Sequence, residues 1–173
     1  MKSLQSNDFE LFGLEQCFAQ DQAVLDARWK DLQRQAHPDK FSAQGAAAQR
    51  IAMQWSVRIN EAYQRLKDPL KRAAYLCELH GAPVNAENNT AMPGAFLLQQ
   101  MEWREALDEA STPEDLEQIS LQSILAVRKA LQKTEQLLDQ SQDYAGAVAQ
   151  VRALMFMARF TEDINARLDQ LDP

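Results

Sequence analysis

Two apolar stripes at helical spacing, interrupted by a proline, constrain this chain more than any other feature. Leu25, Trp29, Leu32 and Ala36 recur at intervals of 4, 3 and 4 residues, and Ile51, Trp55, Ile59, Ala62 and Leu66 at 4, 4, 3 and 4. Each set lines one side of an α-helix. Between them lies His37-Pro38-Asp39-Lys40-Phe41. A proline disfavours helical geometry in the residue before it, so the first helix ends there. Two amphipathic helices joined by so short a break bury their stripes against each other, which predicts a helical hairpin. Asp21 is placed to cap the first helix, and the second fits residues 44–67.

The same reading extends to both sides. Asn7 and Asp8 precede Phe9, Leu11, Phe12 and a stop at Gly13, which predicts a short helix. Asp68-Pro69 closes the hairpin's second helix and starts another, with Asp68 as N-cap and Pro69 at the first helical position. That helix runs to about Leu79, with Gly81 where a C-terminal glycine belongs. Residues 82–94 break every periodicity and are expected to be a linker. Helices over 95–110, 113–140 and 144–171 follow, with Thr112 and Asp115 at capping-box spacing. Short turns between them predict an antiparallel three-helix bundle. With 5 Gly and 6 Pro in 173 residues, punctuation is too sparse for an all-β chain, so the expected class is all-α.

Charge separates the two halves. Residues 1–80 carry 11 basic and 10 acidic side chains, whereas 81–173 carry 7 and 15. The acidic half argues against a nucleic-acid partner, since phosphate binding needs a clustered basic surface. Cys17 and Cys77, far apart and outside any Cys-x-x-Cys, imply a reducing compartment and no metal centre. The polar start at 1–8 is unlike a signal peptide, and no apolar run reaches membrane-spanning length, so a cytoplasmic chain with no membrane partner is expected.

Alone, His37-Pro38-Asp39 is also what a turn looks like, with Asp39 capping the next segment. The frame around it is more specific: short helix, helix, His-Pro-Asp, long helix, Asp-Pro, short helix. Over roughly residues 7–80 it resembles the J-domain family, the partners of 70-kDa heat-shock chaperones, and Lys71-Arg72-Ala73-Ala74-Tyr75 is similar to that family's fourth-helix segment. The resemblance implies that His37, Pro38 and Asp39 dock on the chaperone ATPase and favour hydrolysis. Pro38 stiffens the loop, and Asp39 offers a carboxylate suited to a bidentate arginine. Lys30, Gln33 and Arg34 fall on the outer helix face, and Lys30 and Arg34, with Arg28 beside the apolar stripe, would steer the approach. Asp31 departs from the pattern, standing where many members carry a basic residue.

The helix starting at Ala95 has a surplus. Phe96, Trp103, Leu107 and Ala110 share the side expected to face the bundle, while Leu97, Leu98 and Met101 lie roughly opposite, among Glu102, Glu105 and Glu109. One buried stripe is enough for a bundle helix, so the second is left for a partner, for the N-terminal module or for another copy of the chain. Taken whole, the chain resembles the HscB family of iron–sulfur-cluster co-chaperones, with a segment 95–109 similar to that family's scaffold-binding helix. The resemblance implies a J-domain over 1–81, a linker over 82–94 and a client-binding domain over 95–173. It implies two partners, an HscA-type chaperone and an IscU-type scaffold protein. The implied scaffold contacts are Leu97, Leu98, Met101, Glu102, Glu105, Glu109 and, from the last helix, Phe156. Phe156 lies off the expected stripe of Val148, Val151, Met155 and Ala158, but the apolar side drifts further along, where Phe160, Ile164, Leu168 and Leu171 form their own row. Some relatives carry an N-terminal cysteine-rich zinc segment, which is missing here, so no metal or other cofactor is expected. A glycine-rich phosphate loop, metal-ligand spacings and a nucleophile elbow are also missing, which argues against an enzyme.

Overall fold

The computed structural model describes residues 2–85 and 92–171. Among the described residues are seven α-helices: α1 (Asp8–Phe12), α2 (Gln22–Ala36), α3 (Ala46–Lys67), α4 (Pro69–Leu79), α5 (Gly94–Glu109), α6 (Pro113–Glu135) and α7 (Tyr144–Leu171). No strand occurs among the described residues. Internal packing divides the chain between Leu76 and Cys77, within α4. Of the expected linker 82–94, residues 86–91 lie outside the described residues.

In the first unit α2 and α3 form the hairpin and α1 packs on both. The Asn7 side chain accepts from the Glu10 amide at 2.9 Å, and the Glu10 carboxylate accepts from the Asn7 amide at 3.1 Å. This reciprocal cap satisfies donors that so short a helix would otherwise leave open. Gly13 ends α1 at φ 63°, a left-handed conformation. Phe9, Phe12, Leu25, Ile59 and Leu66 are fully or almost fully buried. Beneath them the Asp8 carboxylate, with no exposure at all, accepts from Arg65 at 2.6 and 2.9 Å and pairs with Arg58 at 2.8 Å. A buried charge is tolerable only when paired in this way. Buried Arg72 donates to the carbonyls of Phe18 and Leu66, tying the start of α4 to the chain before α2.

The hairpin departs from expectation at its tip. Residues 38–44 are not a plain loop but a 3-10 helix, Pro38–Gln44, and Gly45 at φ 97° separates it from α3, which starts at Ala46. Ile51, assigned to the buried stripe, is 55% exposed. The 3-10 segment spreads the two helices at this end, so that Leu32, Ala36, Phe41, Ala48, Ile51 and Trp55 line an apolar groove of about 460 Å³ instead of closing on one another.

In the second unit α6 and α7 make the main antiparallel pair and α5 lies alongside. Trp103 stacks on Phe160 with centroids 5.3 Å apart, and Leu107, Leu116, Val151 and Ile164 are buried. Arg167 of α7 donates to the carbonyls of Leu107 and Ala110 at 3.2 and 2.9 Å, placing a cation at the α5 C-terminus. The capping box at the α6 start forms with Thr112 and Asp115. The expected helix 113–140 is α-helical only to Glu135, and Gln136–Gln140 is a π-turn. The expected α7 stripe is also shifted in phase. Val148 and Val151 are buried, but Met155 is half-buried and Ala158 exposed, their places taken by Leu154 and Met157; of the expected later row, Phe160 and Ile164 are buried and Leu171 is exposed. Packed by α5 as well as α6, α7 buries an arc wider than a single stripe.

Candidate functional sites

The first site is the tip of the α2–α3 hairpin. His37 ends α2 in an extended conformation (φ −63°, ψ 125°), and Pro38 opens the 3-10 helix. The Asp39 amide donates to His37 Nδ1 at 3.3 Å, and Ser42 Oγ donates to the Asp39 carbonyl at 3.0 Å. Both bonds stiffen the backbone and leave the Asp39 carboxylate outside them. Its side chain is 91% exposed, with His37 Nδ1 3.6 Å from Oδ2. The carboxylate is therefore held on a rigid turn with its oxygens open to an incoming donor.

The helix leading to the tip is locked in rotation. Tyr63 Oη of α3 donates to Asp26 of α2 at 2.8 Å, and Ser56 and Gln33 exchange bonds of 2.7 and 3.2 Å across the hairpin. Gln33, expected on the outer face with Lys30 and Arg34, is therefore half-buried against α3 instead. The Tyr63 bond, followed by one from Gln22, holds the Asp26 carboxyl below its ordinary value of 3.8. Trp29 stacks on Tyr63 at 4.6 Å. This fixes where the three candidate cations stand. Lys30 and Arg34 are exposed on the outer face. The Arg34 guanidinium pairs with Asp31 at 3.4 Å, so part of its charge is spent within α2. Arg28, also exposed, sits against the end of α1: a Cβ placed at Gly13 would come within 3.1 Å of its guanidinium. The apolar groove reaches the tip through Gln35, Ala36, Phe41 and Gln44, and it was missed from sequence because Ile51 and Trp55 fit a closed hairpin equally well.

The second site is the outer side of α5. Leu97, Leu98 and Met101 are 47, 58 and 69% exposed, while Glu102, Glu105 and Glu109 are exposed beside them. Trp103 and Leu107, on the opposite side of the helix, are buried. Phe156 of α7, also partly exposed, meets Phe96 edge-on at 6.5 Å and 75°. The candidate client residues are thus carried on two neighbouring helices, with Phe96 linking Phe156 to α5. The arrangement can bind through dispersion and burial, rimmed by negative charge. Among the described residues no group of three or more His, Cys, Asp or Glu side chains is placed to hold a metal, and no helix is long and apolar enough to cross a membrane.

Known proteins share this architecture. Residues 92–165 match the family described as the HSCB C-terminal oligomerisation domain. The co-chaperone protein HscB homolog of Burkholderia multivorans is 47% identical over 177 residues, with 99% of each chain covered. The structure of the chaperone HscB from Vibrio cholerae superposes with a TM-score of 0.82 at 35% identity, covering 96% of this chain and 99% of that one. Human co-chaperone protein HscB superposes with a TM-score of 0.89 at 26% identity, covering 96% and 84%.

Proposed function

The chain belongs to the HscB family of co-chaperones, and from that premise we propose that it couples an iron–sulfur scaffold protein to a heat-shock chaperone ATPase in the cytoplasm. The J-domain stimulates ATP hydrolysis by an HscA-type chaperone. The arm holds an IscU-type scaffold and delivers it to that chaperone. The protein does no catalysis of its own.

The observation that carries this reading is the open Asp39 carboxylate on its stiffened turn. A group built for acid–base work needs a partner and a pocket around the reacting atoms. Asp39 instead projects to where an arginine of another protein can take both oxygens. Lys30, Arg34 and Arg28 accelerate the encounter with an acidic surface. On the arm, burying Leu97, Leu98, Met101 and Phe156 supplies roughly 1.5–3 kcal/mol per side chain before ordering costs. Glu102, Glu105 and Glu109 favour a basic rim on the scaffold.

Single-turnover ATP hydrolysis by the chaperone, with and without scaffold, tests both halves. Asp39→Asn is expected to keep its helical circular dichroism and lose stimulation by a factor of ten or more. Leu97→Ala/Phe156→Ala is expected to keep basal stimulation but no longer co-elute with the scaffold. Undiminished stimulation by the first variant removes the J-domain assignment, and retained co-elution of the second removes the client site.

A further inference from the structure

The groove between α2 and α3 is given no task by the co-chaperone reading, and its two ends differ. Leu11, Leu32, Phe41, Ile51, Trp55 and Ile59 wall a volume of about 460 Å³. Polar side chains line it only as Gln35 and Gln44 towards the tip and Lys2 towards α1. At the α1 end two cations converge. A Cβ built on Gly13 would lie 3.1 Å from the Arg28 guanidinium and 3.6 Å from the Lys2 ammonium. Neither group is in a hydrogen bond or ion pair among the described residues. Two like charges held beside one point, with no carboxylate between them, create a positive potential that an anion relieves. Along α3 the lining runs from Ala48 to Ile59, a rise of about 16 Å.

We propose that the groove binds a single-chain anionic amphiphile, a free medium-chain fatty acid, with its carboxylate between Lys2 and Arg28 and its chain laid along α3 towards Phe41. An extended alkyl chain advances about 1.3 Å per carbon, so about 12 carbons span the groove. The lining selects this occupant over others. A peptide segment brings a backbone N–H and C=O with every residue, and the side chains at the tip end offer only two glutamine amides to pair them. The remainder would be buried unpaired, at a cost that a chain of methylenes does not incur. A cationic head would add to the repulsion at the α1 end, and a neutral one would leave it in place. Ala52 and Ile59, almost fully buried at the floor, lie too deep for a bilayer surface, so the ligand enters as a monomer. The site neither needs chaperone docking nor implies it.

Isothermal titration calorimetry of the full chain with saturated fatty acids from octanoate to hexadecanoate, each below its micelle-forming concentration, tests the proposal. One molecule is expected to bind per chain. Affinity should rise about fourfold for every two methylenes, half the full transfer effect because one side of the groove stays open to water. It should level off beyond tetradecanoate, where the groove ends. Dodecylammonium is expected to bind at least tenfold more weakly than dodecanoate, and Lys2→Gln/Arg28→Gln to abolish that preference. Ile51→Glu, at a half-exposed position, should remove binding, whereas Leu98→Glu on α5 should leave it intact. The Lys2 and Arg28 changes are on the surface, so they carry the test even if Ile51→Glu fails to fold. No saturable binding, an affinity that keeps climbing with chain length, loss in Leu98→Glu, or a head-group preference that survives the double variant overturns the proposal.

Discussion

The Asp31 carboxylate lies 3.4 Å from the Arg34 guanidinium on the exposed face of α2, so the helix that leads to the hairpin tip partly neutralises its own cation. Asp31→Asn removes that competitor while leaving the α2–α3 contacts untouched. Association with the chaperone is expected to become roughly two- to fivefold faster at low ionic strength, with the gain fading as salt is raised. Stopped-flow association rates over a salt series measure it. A rate that does not change would mean Arg34 takes no part in steering.

Asp8 is the least replaceable polar side chain of the N-terminal unit. Its carboxylate has no solvent exposure and is engaged by Arg58 and Arg65, while its amide donates to Tyr75 Oη at 3.0 Å. Asp8→Ala leaves two guanidinium groups facing an apolar site. Both retain some access to water, which places the expected cost near the lower end of the range for a broken buried pair, about 3 kcal/mol. Urea unfolding provides the measurement, and a loss below about 1 kcal/mol would show that the arginines find water instead.

Acid should loosen the start of α6. Backbone donation from Ser111, then the Thr112 side chain and amide, holds the Asp115 carboxyl below its ordinary value of 3.8. A carboxyl lowered on folding contributes stability that is fully present above its unfolded value and lost as pH falls through the folded one. Wild type should therefore exceed Asp115→Asn in melting temperature at pH 6, and the gap should shrink as pH falls below about 4. A gap that persists unchanged at low pH would assign the difference to amide geometry rather than charge.

Burial pushes the Cys77 thiol up to about 11, while Cys17 is only half-buried. The thiolate is the reactive form, so Cys77 should resist alkylation at neutral pH. Thiol titration with an aromatic disulfide is expected to label Cys17 in the native protein and Cys77 only after denaturation. Rapid labelling of both would mean that the end of α4 opens readily.

Much of this architecture is legible from local sequence. The helices of the hairpin, the Asp68-Pro69 restart and the Thr112 cap follow from spacing and from residues that end or start helices for steric and hydrogen-bonding reasons. The surplus of Leu97, Leu98 and Met101 is equally local, because a helix has only one side to give to its bundle. Their exposure in the structure agrees with that reading.

Phase, closure and pairing across the chain required the tertiary structure. A 3.6-residue repeat states that α7 has an apolar side but not which angle meets α5 and α6 together, so Leu154 and Met157 displace Met155 and Ala158. Nothing near Ile51 in sequence reveals that a 3-10 turn holds the hairpin open around a groove. The burial of Asp8 depends on arginines 50 and 57 residues away. Sequence determines what each segment can do within one or two turns, since propensity and capping act over that range. Which surfaces are covered depends on neighbours brought from far along the chain, and that is decided only when the helices pack.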